Sequence, residues 1–169
     1  MADHTIIVTD SITRPANTTA YAAGDVISEV TTNDHYTFTP AAPDAGLVGY
    51  IEHAVMSINA NQSTLPDIEL WLFHTDIAEV ADNSAFAPTD AEVLTLIGVI
   101  DFPLTGWKVG LSGAGASGNI IQEIPAVGIP YRTQPASGGS IFGQLVVRNA
   151  YTPISDEIFQ VRLSLTHER

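Results

Sequence analysis

The end of the chain alternates most cleanly. Phe159, Val161, Leu163 and Leu165 share one parity, and Gln160, Arg162, Ser164 and Thr166 share the other. A period of two marks a strand with one face on a core and the other on water. Shorter versions recur upstream. Residues 5–9 (TIIVT) form a β-branched run, 25–30 (DVISEV) follow a Gly24-Asp25 turn, and 36–39 alternate up to Pro40. Residues 47–59 are longer. Tyr50, Ala54, Met56 and Ile58 share a face with Glu52, and Gly49, Ile51 and Val55 share the other with His53. This predicts a central strand, covered on both sides near its ends. Residues 119–124 and 127–131 read as two further strands, and Pro130 argues for an edge position in the second. Residues 140–148 form another strong strand.

The stretch 67–102 organises the rest. Ile68, Leu70 and Leu72 point one way; Glu69, Trp71 and Phe73 point the other. The apolar company of Trp71 predicts a core position for it. A polar excursion of about twenty residues follows before the chain re-enters as a strand at 96–100, and ordered loops of that length tend to be functional. Within it, Thr89-Asp90-Ala91-Glu92 fits a capping box ahead of Val93 and Leu94, predicting a short helical turn. No residue of this loop suggests catalysis, and its expected role is surface contact.

Eight to ten strands, little helix and no βαβ alternation predict an all-β fold. The expected form is a two-sheet antiparallel β-sandwich, jelly-roll-like, with an extended N-terminal arm. Residues 1–24 are assigned to an arm, or a first strand plus an irregular segment, and 25–169 to the sandwich domain.

Composition narrows the function. The chain has 169 residues, 45% of them apolar, and a formal charge of −13. Its six basic residues (Arg14, Lys108, Arg132, Arg148, Arg162 and Arg169) are scattered. Nucleic-acid binding needs clustered Lys and Arg, so neither nucleic acid nor an anionic membrane is an expected partner. There is no cysteine, hence no disulfide or thiolate chemistry. The start, MADHTIIVTDS, lacks the basic and apolar regions of a signal peptide, and no apolar run has the length of a membrane span. A soluble product made in a cytoplasm is expected.

Candidate chemistry is thin. Gly113-Ala-Gly115-Ala-Ser-Gly118 matches G-x-G-x-x-G, but a strand pattern follows it rather than a helix, and Gly138 stands where the acidic residue of a dinucleotide site belongs. It reads as a flexible loop. The histidines at 4, 35, 53, 74 and 167 show no H-x-H or H-E-x-x-H spacing, so no metal and no cofactor are expected. Paired catalytic carboxylates meet only in space, and no pattern here favours them; the chain is not expected to be an enzyme. Tyr21 and Trp107 lie in loops, where aromatic residues serve as interface anchors. Together with Arg14 they are the candidate interface residues, and Tyr21 and Trp107 are expected to be exposed.

Several phrases carry a resemblance. They are 13–27 (TRPANTTAYAAGDVI), 68–73 (IELWLF), 81–90 (ADNSAFAPTD) running into 97–102 (IGVIDF), 143–147 (GQLVV) and 150–153 (AYTP). In order and spacing they resemble small virion proteins of tailed bacteriophages, encoded near the major capsid protein. The resemblance implies a capsid decoration or cement protein. It would be a β-sandwich, often a homotrimer, that binds the outside of the phage head and clamps neighbouring capsomers, with the major capsid protein as partner. It implies localisation on the capsid surface of the virion. The alternative is a tail- or fibre-associated module that binds a host glycan, recognisable by exposed aromatics in a groove. A sandwich-fold glycan hydrolase ranks third.

Overall fold

The computed structural model describes residues 4–32, 34–39, 48–60, 64–109, 118–134 and 138–167. Among these, the strands in chain order are β1 (His4–Thr13), β2 (Val26–Ile27), β3 (Tyr36–Phe38), β4 (Val48–Ile58) and β5 (Ile68–Phe73), then, after the helix α1 (Asp90–Val93), β6 (Leu96–Phe102), β7 (Lys108–Val109), β8 (Ile120–Arg132), β9 (Ile141–Val147) and β10 (Ile158–His167). They form two antiparallel sheets, β1-β10-β4-β8-β7 and β2-β9-β5-β6, with β3 also pairing with β9. The chain passes back and forth between the sheets. With β2 and β3 taken as one interrupted strand and β7 as a short addition, the order is that of an eight-stranded jelly roll.

Alternation fills the space between the sheets. Phe159, Val161, Leu163 and Leu165 of β10 are fully buried, facing Ile68, Leu70 and Leu72 of β5 in one cluster. Tyr36 and Phe38 stack at 5.5 Å, and the Tyr36 hydroxyl donates to the Phe159 carbonyl at 2.8 Å, tying one sheet to the other.

Strict alternation fails in β4. It placed Ile51 opposite Ala54, Met56 and Ile58, yet all four lie in the same core. The cause is a bulge. Ser164 pairs with His53 and Leu165 with Ile51, so Glu52 is the extra residue and the faces reverse there. On the far side, Ile129 opposes Ile51 and Pro125 opposes His53, leaving Ala126, Val127 and Gly128 to loop out. Ala126 and Gly128 take φ of 58° and 65° to do so. The two strands expected at 119–124 and 127–131 are therefore one strand, β8. Its neighbour β7 pairs only with Ile120 and Ile121, so Pro130 does stand at an edge.

In the stretch assigned to an arm or first strand, His4 to Thr13 pairs along its whole length with β10, and Val8 and Ile12 are buried. Loop 74–95 lies across the outer face of the second sheet. There Phe73, Ile77 and Phe142 form a second small core, ringed by Trp71, Phe86 and Leu96. Trp71, expected in a core position, is half-buried on this outer face, packed against the second core with its ring edge-on to Phe86 at 5.3 Å. The capping box is present. The Thr89 hydroxyl accepts from the Glu92 N–H at 3.3 Å, and the Glu92 carboxylate accepts from the Thr89 N–H at 2.7 Å.

Candidate functional site

Pairing Thr13 with Ile158, Ile58 with Ile120, and Ile68 with both Val147 and Phe102 gathers residues 14–25, 59–60, 64–67, 103–107, 118–119 and 148–157 at one end of the sandwich. Arg14, Tyr21 and Trp107 sit at that end. None is exposed: Arg14 is 0%, Tyr21 1% and Trp107 8% accessible. Trp107 plugs the end of the core. It stacks on Phe102 at 6.5 Å and donates its indole N–H to the Pro66 carbonyl at 2.7 Å. The expected exposure of Tyr21 and Trp107 is thus corrected, because each found a partner for its polar atom inside.

Arg14 is the centre of a buried polar lock. Its Nε donates to the Tyr21 hydroxyl at 2.9 Å, and its terminal nitrogens donate to the Asn17 side chain at 3.1 Å and the Ile154 carbonyl at 3.1 Å. Asp82, from the middle of loop 74–95, lies 3.6 Å from the guanidinium. The same carboxylate accepts from the Tyr21 hydroxyl at 2.6 Å and from the Ser28 N–H at 3.2 Å. Tyr21 stacks on Tyr151 at 5.8 Å with planes 6° apart, and the two exchange backbone hydrogen bonds. The Tyr151 hydroxyl donates to the buried Glu157 carboxylate. Burial, then Asp82, pushes the Tyr21 phenol far above its ordinary value, although Arg14 opposes this. Burial and then Glu157 do the same to Tyr151. Neither is an acid or base at ordinary pH. The cluster fastens three loops together, a role that accounts for every hydrogen bond just named.

Two surface regions stand out. At the opposite end, Val48, Tyr50, His74, Pro130 and Arg132 line a groove of about 360 Å³. Tyr50 is 42% exposed there, while His74 bonds the Arg132 carbonyl at 2.8 Å. On the outer face of the first sheet, Thr9, Val55, Ser57, Ile121, Gln160 and Arg162 line a smaller depression. Beside it, His53 bonds Glu123 at 2.7 Å, which holds the Glu123 carboxyl below its ordinary range. On the second sheet, Glu69 bonds Arg148 and the Trp71 indole; burial alone would raise its carboxyl, but the two donors hold it low.

The remaining histidines are dispersed. His35 is buried against Phe142 and approaches Asp76 at 3.0 Å, off the axis of a hydrogen bond. His167 bonds the Tyr131 hydroxyl at 2.9 Å. Among the described residues no three metal-ligating side chains come together, and no helix is long and apolar enough to cross a membrane. The glycine-rich motif lies outside the described residues except for Gly118. Sequence reasoning missed Asp82, Tyr151 and Glu157 as members of the cluster around Arg14 and Tyr21.

No family model and no curated protein matches the chain. Among solved structures, it is similar to a chain of the acidic stable capsid structure of Helicobacter pylori bacteriophage KHP30, at 8% identity and a TM-score of 0.35, covering 99% of this chain and 94% of that one. It is also similar to the decameric BFDV capsid protein, at 12% identity and a TM-score of 0.30, covering 99% of this chain and 100% of that one. Likenesses at such TM-scores carry no weight in assigning a role to the chain.

Proposed function

We propose that the protein is a structural component of a phage virion, a decoration or cement protein that binds the outside of the head and stabilises contacts between capsomers. One observation supports this most. The phrases that carry the sequence resemblance, 13–27, 81–90 and 150–153, meet in one place: Arg14 and Tyr21 come from the first, Asp82 from the second and Tyr151 from the third. The resembling residues thus include the ones that join the loops at one end of the jelly roll. A jelly roll hosts many functions, so the fold alone does not choose among them. On this reading the partners are the major capsid protein and further copies of the chain, arranged as a trimer, and no chemistry is performed. The test is add-back to heads lacking the protein. Their temperature of rupture should rise with bound protein; an unchanged temperature contradicts a cementing role.

The groove beside Tyr50 favours a second reading, a glycan-binding module of the tail or fibre. An exposed ring flanked by His74 and Arg132 suits stacking on a sugar with polar groups at its edge. Binding to a glycan array that Tyr50→Ala abolishes would support it; a blank array would remove it.

A further inference from the structure

The sheet edges of this molecule are not equally guarded. An open edge presents unpaired N–H and C=O groups, and proteins blunt such edges with Lys, Pro, bulges, short strands or covering segments. The edge beyond β2 is covered by loop 74–95: Asn83 donates to the Val26 carbonyl and Val26 to the Ser84 carbonyl, each at 2.9 Å. β6 runs against β8, whose Ile129 side chain packs on Gly98. β7 is two residues long and contains Lys108. Beyond β7, β8 carries Pro125, Pro130 and the bulge at 126–128. β1 has no Lys, Pro or bulge along its ten residues.

Its register shows which groups are free. Arg14 N–H donates to the Glu157 carbonyl, continuing a ladder in which Ile12, Asp10, Val8 and Ile6 turn their backbone groups towards β10. The odd residues turn theirs outward. At the upper end those are taken: Val30 donates to the Thr13 carbonyl, and Asp10 accepts from the Ser11 and Thr37 N–H groups. Among the described residues, no such partner meets Thr5, Ile7 or Thr9. Ile7 is also 63% exposed on the outer face.

We propose that this edge is a self-association surface, on which β1 of a second copy pairs antiparallel about a two-fold axis at Ile7. The occupant is indicated by the sequence itself. Thr5-Ile6-Ile7-Val8-Thr9 is nearly palindromic, so the axis sets Ile7 against Ile7 and each Thr5 against the other copy's Thr9. β-branched pairs of this kind are favourable across strands. All three opposed positions have outward backbone groups, so each pair exchanges two hydrogen bonds. Charge also favours the place: the chain carries −13, and residues 5–9 carry none of it, so no like charges oppose one another across these five residues. The result is one continuous sheet across two copies. This contact is separate from shell binding and from a threefold association, and stands or falls without them.

The absence of cysteine makes the test clean. Across a hydrogen-bonded antiparallel pair, Cα atoms lie about 5.5 Å apart, within disulfide reach. Ile7→Cys should give a disulfide-linked pair under mild oxidation, at least tenfold faster than Leu94→Cys, whose position is 86% exposed but far from the edge. Ile7→Lys, at an exposed position, should keep the circular dichroism of the wild type and halve its assembled mass by light scattering. Cross-linking of both cysteine variants at equal rates would overturn the proposal. So would an assembled mass that Ile7→Lys leaves unchanged, or a wild type that stays monomeric up to its solubility limit.

Discussion

The Tyr21 hydroxyl donates to Asp82 at 2.6 Å, joining residues 61 positions apart in the chain. This bond crosses from the loop after β1 to the loop that blankets the second sheet. It fixes the far reach of loop 74–95, whose ends are anchored elsewhere by β5 and β6. Ser28 adds to the attachment by donating its hydroxyl to the Val80 carbonyl at 2.5 Å.

Arg14 holds the charge balance of that junction. Replacing it with Met leaves the Asp82 carboxylate buried without its cation and orphans the Asn17 and Ile154 acceptors. Breaking a buried pair from one side costs about 3–5 kcal/mol. Urea unfolding of Arg14→Met should show an unfolding free energy lowered by that much, read as a lower midpoint at an unchanged slope. A loss below about 1 kcal/mol would mean the lock contributes little.

Alkaline stability follows from the tyrosines. Burial raises Tyr21, Tyr36, Tyr131 and Tyr151 above the ordinary value of 10.0. Each keeps its proton in the folded state where the unfolded chain would release it. The stability this represents is whole below pH 10 and is lost as pH rises towards the folded values. Ultraviolet titration should show these phenols ionising together with loss of the folded circular dichroism. Ionisation of all four in a still-folded protein would contradict the burial.

Glu92 gives the acid-side counterpart. N–H groups of Ala78 and then Thr89, with the Thr89 hydroxyl, hold its carboxyl below the ordinary 4.5. Its contribution is present above that value and disappears as pH falls through the lower folded one. Glu92→Gln should therefore be less stable than wild type at pH 7, and the gap should close as acidification carries the pH down from the ordinary 4.5 through the lower folded value. A gap that is constant with pH would point to packing instead of charge.

Removing residues 1–13 takes away Val8 and Ile12 and strips β10 of one of its two partner strands. Deleting a buried Ile or Leu side chain to Ala costs about 2–5 kcal/mol, against a total near 5–15 kcal/mol for a domain. The truncated chain should lack the cooperative thermal transition of the full one. A folded truncation would mean that β1 is a detachable arm.

How far the sequence could be read depended on distance along the chain. β10 and the inward side of β5 were legible because alternation is a local rule, and the capping box because Thr89 and Glu92 lie three apart. The bulge at Glu52 was not, because it is set by partners in β8 and β10, and one inserted residue reverses every face beyond it. Trp71 and Phe73 share an apolar strand yet sit on its outer side, since loop 74–95 provides a second core that alternation cannot announce. Arg14 and Tyr21 looked like surface groups because their partners lie 61 to 143 residues away, in Asp82, Tyr151 and the Glu157 carbonyl.

The most direct measurement is co-sedimentation of the purified protein with assembled phage heads that lack it. A decoration protein pellets with the heads and saturates at a fixed number of copies per capsomer. Protein that stays in the supernatant at every concentration contradicts the account and leaves the Tyr50 groove as the surface to pursue.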